Sequence, residues 1–269
     1  MEHSLFSKPK ELFIDVVNPR DYVQIDSVSH MYQNLKASVQ KPLKMILLYG
    51  RPGTGKSMLL HKLHHDLSKH QKVFMIDIPI IDEEDFLRVL AQKIYGHVNR
   101  ETITLTTFLE LASAVNYPQT PIVLLDEAQL YSSALMEKIR LISDARALKF
   151  VITLHKTDDE DVIAKEHFQT RIWESIELQN ATAEELKIYI QKKLLKSNCF
   201  DVANMINDKN IKVILKLTKG NYRDANKLMF ALFSLYTWFE EHHPSKINYN
   251  SLKAKYIEMA AIHTGLIRA

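Results

Sequence analysis

Eight consecutive residues carry the strongest chemical signal in the sequence. Gly50-Arg51-Pro52-Gly53-Thr54-Gly55-Lys56-Ser57 fits the pattern G-x-x-x-x-G-K-[ST] in full. Small residues let backbone N–H groups converge on a polyphosphate. A helix starting at the end of the segment adds the partial positive charge of its N-terminus. Lys56 is spaced to reach the β- and γ-phosphates of a nucleotide such as ATP, and Ser57 to ligate Mg²⁺. The expected contact stretch runs from Gly50 to Met58. The bland alternative is an ordinary glycine turn.

A second segment supplies acids where such chemistry needs them. Ile122-Val123-Leu124-Leu125 is an apolar run that ends in Asp126 and Glu127. Asp126 can hold Mg²⁺ through its water shell. Glu127 can orient or deprotonate an attacking water. A strand followed by a solvated acidic turn is the competing reading. Phosphoryl transfer needs mainly positioning and charge neutralisation, and the two segments together provide both.

Elements must hold these residues in place, and the apolar patterning says which. Met45 to Tyr49, Val73 to Asp77, Ile122 to Asp126 and Phe150 to Leu154 are short, nearly continuous apolar runs, with Ser175 to Leu178 a weaker one. Such runs suit parallel strands covered on both faces. Leu59, Leu60, Leu63 and Leu67 have helical spacing, as do Phe86, Leu87, Leu90 and Ile94. The alternation predicts an α/β fold: a three-layer αβα phosphate-loop NTPase core with a parallel sheet. Beyond about Asn180 nearly everything has helical spacing, and the charge changes too. Residues 1–180 carry a net charge of −3, and 181–269 carry +6. The expected organisation is an N-terminal segment over 1–29, the αβα core over 30–180 and a helical lid domain over 181–269.

At this point the sequence resembles the AAA+ ATPases, whose Walker A and Walker B motifs match the two segments above. That resemblance implies ATP and Mg²⁺ as cofactors, ATP hydrolysis, and a homo-oligomer in the ATP-bound state. It also implies a polar sensor on the fourth strand, where Phe150-Val151-Ile152-Thr153-Leu154-His155 offers Thr153 or His155. Phe168-Gln169-Thr170-Arg171-Ile172 resembles the segment bearing an arginine finger, so Arg171 would reach a neighbouring subunit's γ-phosphate. Gly220-Asn221-Tyr222-Arg223-Asp224-Ala225 resembles the sensor 2 segment, with Gly220 ending one helix, Asn221 capping the next and Arg223 facing the nucleotide. By the same resemblance Tyr22 and Val23 border the adenine, with core packing as the alternative. Pro19 to His30, Met136 to Ser143 and Gln169 to Ile172 are similar to the ExeA/GspA-like branch, which acts in secretion and pilus assembly. The MuB- and TniB-like transposition ATPases share much of the pattern.

Other features exclude classes or carry weaker readings. Hydrophobic residues make up 46% of the 269, which argues against disorder. The single cysteine, Cys199, rules out an intramolecular disulfide and points to a reducing compartment. The charged N-terminal stretch lacks the apolar core of a signal peptide. The apolar stretch from Leu228 to Phe239 is too short for a membrane span, so it reads as a buried helix in a cytoplasmic protein. His61, His64 and His65 read as a solvated helix face. Asp82-Glu83-Glu84-Asp85 reads as a helix start, and Asp158-Asp159-Glu160-Asp161 has the same reading. Lys192, Lys193, Lys196, Lys209, Lys212, Lys216 and Lys219 could approach phosphate backbones or simply keep helices soluble. The function expected is an ATP-driven switch that remodels a protein partner. A DNA-binding loader or transposition regulator is the first alternative, and a nucleotide-gated scaffold with little turnover the second.

Overall fold

A computed structural model describes residues 4–96, 103–115, 117, 119–155 and 172–267. The chain divides into two compact units. One comprises residues 30–52 and 56–178, and the other comprises 1–29, 53–55 and 179–269. The first 29 residues therefore group with the helical region.

The first unit is a parallel sheet between helices. Its strands are β1 (Met45–Gly50), β2 (Val73–Ile76), β3 (Ile122–Leu125), β4 (Lys149–His155) and β5 (Ile172–Leu178). All pairings are parallel, in the order β2-β3-β4-β1-β5. The weak run near Ser175 is a full strand, because it completes the ladder beside β1. Strand side chains alternate between faces. Val123, Leu125, Phe150 and Ile152 join one core with Phe86, Leu90, Phe108, Leu135 and Ile139. Those partners come from α4 (Glu83–Tyr95), α5 (Leu105–Ala114) and α6 (Ser133–Asp144). Ile46, Leu48, Leu124 and Val151 are buried on the opposite face. There α3 (Lys56–Leu67) lies against β1, β2 and β4 with Leu59, Leu60 and Leu63 inward. Asp82 caps α4 by accepting the Asp85 N–H at 2.8 Å, which fits its reading as a helix start.

The second unit is helical. It holds α1 (Ser7–Glu11), the first residues of α2 (Asp26–Gln40), α7 (Ala183–Lys196), α8 (Phe200–Met205), α9 (Asp208–Thr218), α10 (Tyr222–His242) and α11 (Ala254–His263). The stretch from Leu228 to Phe239 is the centre of α10, with Leu228, Met229, Leu232, Phe233, Tyr236 and Phe239 buried. Aromatic rings fasten the N-terminal segment to it: Phe6 lies 4.7 Å from Tyr236 and Phe13 5.7 Å from Phe233, centroid to centroid. Among the described residues no helix is long and apolar enough to cross a membrane.

Candidate functional site

The phosphate-loop residues sit where a parallel sheet places its loops, at the C-terminal ends of the strands. β1 ends at Gly50 and α3 begins at Lys56, so the loop is bounded on both sides by regular structure. Its geometry demands glycine twice. Gly53 has φ +80° and Gly55 φ +97°, a region costly for any residue with a Cβ. A Cβ at Gly53 would fall 2.2 Å from Asn221 Oδ1, whereas one at Gly55 meets nothing within 4 Å. Tyr222 N–H donates to Gly53 O at 3.2 Å, which is why this short piece groups with the helical unit. Thr54 and Lys56 are buried, Ser57 and Met58 half-buried, and Arg51 and Pro52 exposed. Lys56 Nζ donates to Gly50 O at 2.8 Å and to Arg51 O at 3.0 Å, so its ammonium is folded back under the loop.

The acidic pair lies at the same edge of the sheet. β3 pairs with β4 up to Leu125 and Ile152, and Asp126 N–H extends the ladder to Ile76 O at 3.1 Å. Asp126 is only 5% exposed. Thr153, fully buried on β4, donates its hydroxyl to Asp126 Oδ1 and accepts the Glu127 N–H at 3.0 Å. Glu127 adopts a left-handed conformation, φ 53° and ψ 40°. Such a conformation costs a non-glycine residue about 1–3 kcal/mol and persists only where surroundings impose it. Its carboxylate meets His155 Nε2 at 3.0 Å and Gln129 Nε2 at 2.6 Å. The two sensor candidates of β4 therefore contact different groups. Thr153 serves the Asp126 carboxylate and the Glu127 backbone, and His155 serves the Glu127 side chain. Gln129 was not among the residues read from the sequence. Its only signal there is position, two residues after Glu127.

The remaining candidates fall elsewhere. Arg223 follows the cap Asn221, which accepts the Arg223 and Asp224 N–H groups at 3.1 and 3.2 Å. Its Nε pairs with Asp15 at 3.2 Å, and its side chain is about half exposed. Val23 is buried and Tyr22 half-buried; burial pushes the Tyr22 phenol up, opposed by a hydrogen bond with Ser29. Arg171 lies outside the described residues, as do Asp158 to Asp161. Six of the lysines singled out in the helical unit separate into two groups. Lys192 donates to Gln24 O at 2.9 Å and Lys196 to Arg20 O, binding the N-terminal segment to α7. Lys209, Lys212 and Lys216 are exposed on one face of α9, and Lys219 is exposed at its left-handed C-cap.

The donor set fits a magnesium nucleotide. A bend open at Gly55, a buried ammonium at a helix N-terminus, a hydroxyl one residue later and a buried carboxylate are the polar and charged partners that a triphosphate and Mg²⁺ take.

Comparisons with known proteins bear on the family and the fold. Residues 40–157 match the AAA domain family. The replication factor C small subunit of Aeropyrum pernix is 28% identical over 137 residues, 49% of this chain and 38% of that protein. The chain thus spans well under half the length of that curated relative. Among solved structures, Drosophila ORC bound to DNA superposes with a TM-score of 0.66 at 14% identity, covering 96% of this chain and 65% of that one. Cdc6p from Pyrobaculum aerophilum gives 0.62 at 16% identity, with coverages of 87% and 66%. At such identities the two structures establish the fold, a phosphate-loop NTPase sheet followed by a helical region. Residues 40–157 of this chain are thus similar to the AAA domain family.

Proposed function

We propose that this chain binds Mg²⁺–ATP and hydrolyses it to ADP and phosphate, acting as an oligomeric switch on a partner. The observation that carries the reading is the convergence of Asp126, Glu127, Thr153 and His155 at the strand ends, in a sheet whose β1 leads into the phosphate loop. Bound Mg²⁺ would neutralise charge on the phosphates, held by Ser57 and Asp126. Lys56 would exchange its two carbonyl acceptors for phosphate oxygens, and Glu127 would take the proton of the attacking water. Arg171 supplied by a neighbouring subunit, and Arg223 released from Asp15, are the proposed further contacts to the γ-phosphate. Tyr22 and Val23 are proposed for the adenine. Lys56→Ala should abolish nucleotide binding, while Glu127→Gln should keep binding and lose most turnover. Unchanged turnover in both variants would defeat the assignment. Retained binding with negligible single-turnover hydrolysis by the wild type would leave a nucleotide-gated scaffold.

For the partner, a specific observation favours DNA. Lys209, Lys212 and Lys216 recur at spacings of three and four residues, which places three ammonium groups on one exposed face of α9, and exposed Lys219 follows at its left-handed C-cap. Such a row suits a phosphate backbone. Two structural relatives, from Drosophila and Aeropyrum pernix, are ORC proteins bound to DNA, consistent with a loader. The ExeA/GspA-like segments support a protein partner in secretion or pilus assembly instead. DNA retardation that weakens steeply with salt, and weakens further when the four lysines become glutamine, supports the DNA reading. Absence of retardation at low salt with ATP present returns the choice to a protein partner.

A further inference from the structure

Gln129 closes a ring of hydrogen bonds around the carboxylate of Glu127. Its Nε2 donates to Glu127 Oε2 at 2.6 Å. Its Oε1 accepts the backbone N–H of His155 at 3.3 Å. The imidazole of the same His155 reaches Glu127 Oε1 through Nε2 at 3.0 Å. A carboxamide has its acceptor on one side and its donors on the other. Once a main-chain N–H of β4 engages the oxygen, the NH₂ group can only face Glu127. The sheet backbone thereby decides where Gln129 points, and Gln129 decides where the carboxylate points. Each Glu127 oxygen has a donor of its own, so rotation about the last side-chain bond is blocked. A carboxylate has about four lone-pair sites, so two donors leave acceptor capacity for a water. The main chain is fixed as well, since the left-handed Glu127 gives its N–H to Thr153.

We propose that Gln129 is a positioning residue for nucleotide hydrolysis: it orients the Glu127 carboxylate toward the attacking water, with His155 as the second donor. The proposal rests on the reading of Glu127 as the base. A general base must meet its proton within hydrogen-bond reach and in line, so loss of orientation lowers the rate of chemistry and leaves nucleotide affinity alone.

Gln129→Leu should lower kcat for ATP by about tenfold to a hundredfold, while KM and the Kd of a fluorescent ATP analogue stay within about twofold. His155→Leu should behave likewise. His155→Gln, which restores an N–H donor at similar reach, should recover most of the rate. Should Gln129→Leu fail to fold, Gln129→Glu keeps the length but replaces the donor with a repelling carboxylate, and should show the same loss of kcat. Thermal unfolding of each variant separates folding defects from rate defects. Turnover within twofold of wild type in a folded Gln129 variant, or faster turnover, overturns the proposal when Glu127→Gln is inactive. So does a loss that falls on KM rather than kcat. If Glu127→Gln itself retains full turnover, it is the assignment of the base that fails.

Discussion

At the scale of single residues, Thr153 is the side chain that binds two strands' functional ends together. Its hydroxyl uses its proton for Asp126 Oδ1 and a lone pair for the Glu127 N–H, with no exposure to water. Valine has nearly the same shape and neither capability. Thr153→Val should therefore destabilise the fold by about 1–3 kcal/mol, the cost of leaving buried polar groups unsatisfied. Thr153→Ser should recover most of that, and urea unfolding of the two variants measures the difference. The placement of Lys56 at a helix start and of Asp126 at a strand end was legible from sequence because their neighbours spell a motif. The choice between Thr153 and His155 was not, because adjacent strands bring their side chains to Asp126 and Glu127 from 27 and 28 residues away. Gln129 was missed for the same reason: a hydrogen bond to the main chain of another strand leaves no local signature.

At the scale of elements, helix α7 shows how the helical unit is built. Thr182 accepts the Glu185 N–H at 3.3 Å, and Glu185 returns a bond from the Thr182 N–H at 2.8 Å. This capping box satisfies two otherwise unpaired helix-end donors. Thr182→Ala should cost about 1 kcal/mol in unfolding free energy, read from the shift in urea midpoint. Further along α7, Lys193 lies over the Phe13 and Tyr189 rings and donates to Tyr189 Oη and Asn226 Oδ1. Burial pulls its pKa down to about 8, against the opposing pull of Asp21 and Asp15. An unfolded lysine titrates at about 10.4. Between those values the unfolded chain holds more protons, so stability from this group rises with pH. Compared with Lys193→Met, the wild type should gain stability as pH climbs from about 8 to 10, and unfolding series across that interval test the sign. The sequence showed a lysine-rich stretch there. It could not show that Lys192 and Lys196 bind the N-terminal segment while α9 and its C-cap keep four lysines in solvent, since burial depends on what packs alongside.

At the scale of the whole molecule, a ligand that binds only the folded chain stabilises it by mass action. Mg²⁺–ATP at about a hundredfold excess over its Kd should add about 2.7 kcal/mol to unfolding, and nothing to Lys56→Ala. Thermal shift with a non-hydrolysable analogue measures both. The sequence by itself determined the α/β class, the phosphate loop and its following helix, the acid pair at a strand end, and the change to all-helical structure near residue 180. Those features follow from local periodicity and from groups only a few residues apart, so the chain's own covalent geometry carries them. The tertiary structure alone decided the order β2-β3-β4-β1-β5, the grouping of the first 29 residues with the helical region, and the ring of Gln129, Glu127 and His155. Each joins residues far apart in sequence, and such contacts are chosen by packing and pairing across the folded chain rather than by any single segment.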